Sequence, residues 1–184
     1  FQTIQNAPPS GICGSGIIDI IASMLKAGII DYRGALNDQH PMVRKGEKVP
    51  ELVIVPAEEA AHGKEISISR RDINEIQLAK GAIQAGLELL LAETGQEWSC
   101  VEKVVVAGAF GSFIDVKNAI TIGLFPNLEA SRFKQIGNAA GMGARQSLLS
   151  IQKRTQASEI AKKLKYVELA SHKGFADRFA KAIM

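Results

Sequence analysis

The chain is 184 residues long with a formal net charge of +3, 46% hydrophobic residues and 22% charged ones, enough to bury a core without staples and outside the disordered range. Lys and Arg are scattered except at Ser69-Arg70-Arg71 and Lys162-Lys163-Leu164-Lys165; with no interleaved aromatics these read as solvated helix faces, so no nucleic-acid partner is expected. Two distant cysteines, Cys13 and Cys100, give neither a disulfide framework nor a zinc spacing, and no apolar run reaches bilayer-spanning length, so a reducing, cytoplasmic setting without membrane contact is expected.

The chain begins at Phe1 with no signal-peptide pattern and reads as a single fragment, residues 1–184, of a longer protein. A breaker cluster, Asn6-Ala7-Pro8-Pro9-Ser10-Gly11, precedes Ile17, Ile18, Ile20, Ile21, Met24 and Leu25 at helical spacing, until Gly28 stops the pattern; a buried helix is expected. Residues 31–50 are rich in Gly, Pro and charge. Residues 51–56 and 65–69 then read as two strands around a polar turn at His62-Gly63-Lys64, a hairpin forming a small insertion over residues 42–70. Ser69 and Asp72 have capping spacing, and Ile73, Ile76, Leu78, Ala79, Ile83, Leu87, Leu90 and Leu91 mark a long helix to Thr94, closed by Gly95.

Residues 101–108, Val-Glu-Lys-Val-Val-Val-Ala-Gly, form a β-branched run of the kind covered on both faces in parallel sheets. After it come a turn at Gly123-Leu124-Phe125-Pro126, a helix over 138–149, a helix over 159–165, a strand over 166–169, and a last helix capped by Ser171 and reaching Ile183. This order is α/β.

Three glycine-rich joints sit where elements begin or end. Ser10-Gly-Ile-Cys-Gly-Ser-Gly16 opens a helix, where free N–H groups favour an anion; it is no P-loop, and a tight helix entry without ligand is the competing reading. Val104 to Ser112 is a strand ending in a glycine turn, at the carboxyl edge where α/β sheets bind ligands, or else a closely packed strand-to-helix turn. Ile136-Gly-Asn-Ala-Ala-Gly-Met-Gly-Ala144 carries small residues that let another helix approach.

Catalytic constellations are absent. His40, His62 and His172 lack spaced carboxylate or cysteine partners and read as surface residues, and no nucleophile elbow or paired carboxylates occur. Cys13 reads as a small buried residue, the alternative being a thiol activated by the helix N-terminus.

Taken in order, the three joints resemble the second half of the superfamily of acetate and sugar kinases, heat-shock chaperone ATPase domains and actin. Val104 to Ser112 resembles its adenosine motif, and Ile136 to Ala144 its second connecting helix, which packs at the hinge between lobes. The resemblance implies the second lobe of an actin-like ATPase: a ribonuclease H-like sheet, flanking helices and a small hairpin subdomain.

At finer grain, Pro9-Ser-Gly-Ile-Cys-Gly-Ser-Gly-Ile-Ile-Asp19, Arg71 to Ile83, Val106-Ala-Gly-Ala-Phe-Gly111 and Ile136-Gly-Asn-Ala-Ala140 resemble ATP-dependent reductive activators of corrinoid proteins. Such activators couple ATP hydrolysis to reduction of Co(II) corrinoid to Co(I) in a corrinoid iron–sulfur protein or corrinoid methyltransferase component, and carry a [2Fe-2S] cluster in an N-terminal domain.

No Asp-x-Gly-Thr motif occurs in the chain, so by this resemblance the ligands of Mg2+ and the terminal phosphates lie outside it, and hydrolysis by the fragment alone is not expected. The resemblance places ATP or ADP as cofactor, with Gly108, Ala109, Phe110 and Gly111 along the adenosine and Gly14, Ser15 and Gly16 near ribose or phosphates. The resemblance also implies that Gln77 and Lys80 hold adenine and ribose, solvated positions on the helix face being the competing reading, and it places Asn138 where chaperones have an acidic residue. No cluster is expected in the chain itself, and a homodimer is possible. Two alternatives remain: an activator of 2-hydroxyacyl-CoA dehydratases, and a non-enzymatic interaction module with a vestigial nucleotide site.

Overall fold

The structure, a computed structural model, describes residues 2–46, 49–169 and 171–183. Its first regular element is α1 (Gly14–Lys26), whose Ile18, Ile21, Ala22 and Met24 form the buried stripe expected from their spacing. Gly28 stops the helix in a left-handed conformation (φ +69°), and Ile29 N–H returns to Met24 C=O, the geometry by which glycine closes helices.

Next comes an antiparallel sheet ordered β1-β2-β3, with β1 at Val43–Lys45, β2 at Pro50–Val55 and β3 at Ile66–Ser69. β1 gives the expected hairpin a third strand: residues 43–45, charged and flanked by loop residues, carry no period-2 signal. Leu52 pairs with Ile68, and both are buried against α1 in the main core. On the wet side Arg44 holds both Glu51, at 2.9 Å, and Glu65, which joins all three strands across their polar edge.

The sheet leads directly into α2 (Arg70–Thr94), where the Asp72 carboxylate accepts from Ser69 N–H at 2.8 Å and Ser69 Oγ at 2.7 Å, and Gly95 ends the helix at φ +64°. Its buried stripe is Ile73, Gln77, Gly81, Ala85 and Leu89, at every fourth residue. Leu78, Ile83 and Leu90, expected in the core, are 42%, 45% and 45% exposed. The reason is α6 (Phe175–Ile183), which settles on the small residues of α2: a Cβ on Gly81 would stand 3.0 Å from Ile183 Cγ1. Close backbone approach outweighs the larger apolar side chains in choosing the face.

β4 (Val104–Val106) runs parallel to β5 (Phe133–Gln135), with Val104 opposite Phe133 and Val106 opposite Gln135. Between them α3 (Val116–Thr121) packs on α1, with Ala119 fully buried. The strand is shorter than residues 101–108 and is not covered on both faces: Val105 is 52% exposed. α4 (Ala139–Leu149) and α5 (Ile151–Lys163) follow, meeting at Ser150. Residues 166–169, expected as strand, are irregular. The last helix begins at Phe175 rather than at Ser171. The whole is α/β, as expected, with the core between α1, the β1–β3 sheet, α2 and α3.

Candidate functional site: three glycine joints brought together

The first joint begins α1. Cys13 is its N-cap, with Sγ accepting from Gly16 N–H and facing Ser15 Oγ, both at 3.4 Å. Cys13 is exposed, which corrects the expected buried residue: a cap at an open helix start must reach back over free N–H groups rather than into the core. The Ser15 hydroxyl and then the Gly16 N–H hold its thiol below the ordinary range.

The second joint follows β4. Gly108 takes φ +105°, a conformation that side-chain-bearing residues avoid. The chain then turns through Ala109 into a short 3-10 segment at Phe110–Phe113. Gln135 on β5 fixes this turn from below, its Nε2 donating to Gly111 C=O at 2.6 Å and Ile114 C=O at 2.8 Å. The turn meets the first joint through Phe110: a Cβ on Gly14 would lie 2.5 Å from Phe110 Cε2, so a side chain there would displace the ring.

The third joint meets the second through the backbone. Gly108 N–H donates to Gly137 C=O at 2.7 Å, and Gly137 is itself left-handed at φ +64°. Asn138 then caps α4, its Oδ1 accepting from Gly141 N–H at 2.9 Å. Gly14, Phe110, Gly108 and Asn138 thus belong to one continuous surface. An added Cβ on Gly108 meets no atom within 4 Å, so the backbone there is open to a ligand.

Beside Gly14 lies a cleft of about 320 Å³ between Ile12, Cys13 and Ile17 on one wall and Ser67, Asp72, Glu75 and Ile76 on the other. Asp72 and Glu75 are not among the residues anticipated for the site. Their only sequence signal is a position in the first turn and a half of α2, which reads as capping. Gln135 was equally hidden, since a three-residue strand has no period to detect. Ser15 and Gly16 open on the other side of Cys13, into an apolar groove of about 750 Å³ floored by Met24, Leu52, Ile54 and Ile66.

Gln77 and Lys80 are elsewhere. They line a cavity of about 230 Å³ with Ile21, Leu25, Asp31, Ile120 and Gly123, and none of the three joints contributes to its wall. Gln77 is 9% exposed, and its amide donates to Ile183 C=O at 3.4 Å while its carbonyl receives Arg70 at 3.5 Å. Burial pushes the Lys80 ammonium below its ordinary range. Both lie on the α2 face turned toward the interior, whereas Asp72 and Glu75 face the first glycine joint. His40 and His62 accept from neighbouring backbone N–H groups, whereas His172, expected to lack a carboxylate partner, lies 3.2 Å from Glu93 because the fold brings the end of α2 to it. No helix among the described residues is long and apolar enough to cross a membrane.

Comparison with known proteins identifies the family of the chain. Residues 1–184 match the family described as the C-terminal domain of RACo, the ASKHA domain. The chain is 39% identical over 188 residues to the corrinoid activation enzyme RamQ of Eubacterium limosum, covering 97% of this chain and 32% of the relative. It is 31% identical over 154 residues to the [Co(II) methylated amine-specific corrinoid protein] reductase of Methanosarcina barkeri, covering 84% of this chain and 25% of that protein. A solved structure titled reductive activator for corrinoid,iron-sulfur protein superposes with a TM-score of 0.90 at 39% identity, over 99% of this chain and 29% of its own. The chain therefore spans about a third or less of the length of these relatives, and it belongs to the family of RACo C-terminal ASKHA domains.

Proposed function

We propose that this chain is the adenosine-holding lobe of an ATP-dependent reductive activator that returns Co(II) corrinoid to Co(I) in a partner protein. The observation that carries the reading is the convergence of the three joints, with Phe110 seated on Gly14 and Gly108 tied to Gly137. The Gly108–Gly137 bond continues the β4–β5 register, and the contact of Phe110 with Gly14 brings the start of α1 to the same edge, where glycine lets a flat ligand approach the backbone.

The residues fit a nucleoside. Gly108 leaves the backbone open, Gly111 is buried against Val106 and shapes the turn beneath, and the half-exposed Phe110 ring offers an apolar edge. Asp72 and Glu75 across the cleft are acceptors for ribose hydroxyls and would repel phosphate, which turns the nucleoside end toward this cleft and the phosphates away from it. ATP supplies the free energy for an otherwise unfavourable cobalt reduction when hydrolysed. The residues of this chain bind and orient its nucleoside, and Mg2+ and γ-phosphate ligands come from residues outside 1–184. Gln77 and Lys80 support the lobe from its interior in this reading, and Asn138 acts by capping α4 beneath the surface.

The test is thermal unfolding of the full-length activator with and without ADP, in the wild type and in Phe110→Ala. Saturating ADP at a hundredfold excess over Kd should add about 2.7 kcal/mol, and the variant should lose most of that gain. A wild type that gains nothing from ADP sinks the reading.

A further inference from the structure

The α4–α5 arm differs from the rest of the molecule in charge and in exposure. Neither helix has a buried residue, and every residue from 151 to 166 is exposed. Residues 138–165 hold six Lys or Arg and one Glu, while the remaining sequence holds sixteen Lys or Arg against eighteen Asp or Glu. The positive balance of the chain is thus carried by this arm, and the body is slightly acidic.

The arm also has shape. Ser150 takes an extended conformation (φ −142°, ψ 118°), closing α4 and capping α5 through its Oγ, which accepts from Lys153 N–H at 3.3 Å. Arg154 Nε braces the elbow on Ser147 C=O at 3.0 Å. Inside the bend is a notch of about 310 Å³ lined by Met142, Arg145, Gln146, Leu149, Ser150 and Lys153. Met142 is 55% and Leu149 73% exposed, and Leu148 and Ile151 beside them are 76% and 81% exposed. A contiguous apolar patch with a cationic rim is characteristic of a surface that another protein covers.

We propose that this elbow docks the acidic face of a protein partner, one apolar side chain of which enters the notch at Met142 and Leu149 while its carboxylates meet Arg145 and Lys153. Charge complementarity selects the occupant. Two cations, Arg145 and Lys153, flank the aliphatic centre of the notch on an arm with an excess of five positive charges, which fits carboxylates around an apolar side chain. The notch contains no aromatic ring on which a base could stack, which disfavours single-stranded nucleic acid. Identifying that partner as the corrinoid-carrying protein rests on the activator reading above.

The experiment uses the full-length activator and its purified corrinoid protein in the Co(II) state. Calorimetry at two salt concentrations gives Kd, absorbance follows formation of Co(I) after addition of MgATP and a low-potential one-electron reductant, and the melting midpoint and basal ATP hydrolysis are recorded alongside. The double charge reversal Arg145→Glu with Lys153→Glu should raise Kd at least about tenfold and flatten its salt dependence, with midpoint and basal hydrolysis unchanged. Leu149→Ala should raise Kd several-fold at unchanged midpoint.

If the wild type binds and reduces the corrinoid protein while the charge reversal leaves Kd unchanged, the docking proposal is overturned and the activator reading stands. A fall in midpoint with unchanged Kd assigns the elbow to packing within the longer chain. Sedimentation as a smaller species with unchanged Kd assigns it to a second copy, and loss of nucleic-acid retention alone assigns it to nucleic acid; each of these overturns the proposal. A wild type that neither binds nor reduces the corrinoid protein overturns the activator reading and the partner identification together.

Discussion

Phe110 covers Gly14 so closely that a Cβ at position 14 would stand 2.5 Å from its Cε2. This contact couples the start of α1 to the turn after β4, two segments about a hundred residues apart. Gly14→Ala should force the ring away, at about 1–3 kcal/mol for an overpacked contact, and should reduce ADP-dependent stabilisation more than stability itself. Gly11→Ala is the control: nothing lies within 4 Å of its added methyl, and its midpoint and ADP response should match the wild type.

Two other glycines separate conformational cost from steric cost. Gly108 and Gly143 both have open space where a Cβ would go, but Gly108 sits at φ +105° and Gly143 is within α4. Gly108→Ala should lose about 1–3 kcal/mol through backbone strain alone. Gly143→Ala should gain about 1 kcal/mol from helix propensity. Denaturant unfolding of both variants checks the signs, and a destabilised Gly143→Ala would show that α4 is constrained in a way its exposed surface does not reveal.

Gln135 holds the site from beneath, with one amide nitrogen shared between Gly111 and Ile114 carbonyls. Gln135→Ala should cost about 1–3 kcal/mol by leaving those acceptors unpaired and should speed amide exchange at residues 108–114. Exchange rates unchanged there would mean that the turn holds itself.

Lys80 provides a pH signature. Its folded-state value lies below the ordinary 10.5 because burial disfavours the charge, so the folded protein releases this proton at a lower pH than the unfolded chain. Between those two values the unfolded chain binds more protons, and stability from this group rises with pH until 10.5 is passed. Lys80→Met should therefore raise the melting midpoint at pH 7 slightly and remove this alkaline rise relative to the wild type. The effect is small, since the ammonium is only half-buried. A variant less stable than wild type at pH 7 would show that the ammonium has a favourable partner.

The boundaries of α1 and α2 were legible because caps and 3.6-residue periodicity act within a turn or two of the chain: Gly28, the Ser69–Asp72 pair and Gly95 end or begin helices by local hydrogen bonds. The β2–β3 pairing was legible for the same reason, from alternation on either side of a polar turn. The three joints could be found one by one, since glycine clusters mark unusual backbone wherever it falls.

Which face of α2 goes inward was not legible. That choice is made by α6, nearly a hundred residues away, whose approach needs Gly81 and Ala85 rather than Leu78 and Ile83. It sends Gln77 and Lys80 into the interior and leaves Asp72 and Glu75 facing the first glycine joint. Likewise β5 exists through its pairing with Val104–Val106, not through any pattern in its three residues. By itself the sequence determined the family, the helices that cap themselves and the glycine positions, all short-range properties. Only the tertiary structure decided that the glycines share one surface and which carboxylates face it, because those contacts depend on segments that meet only after the chain has folded.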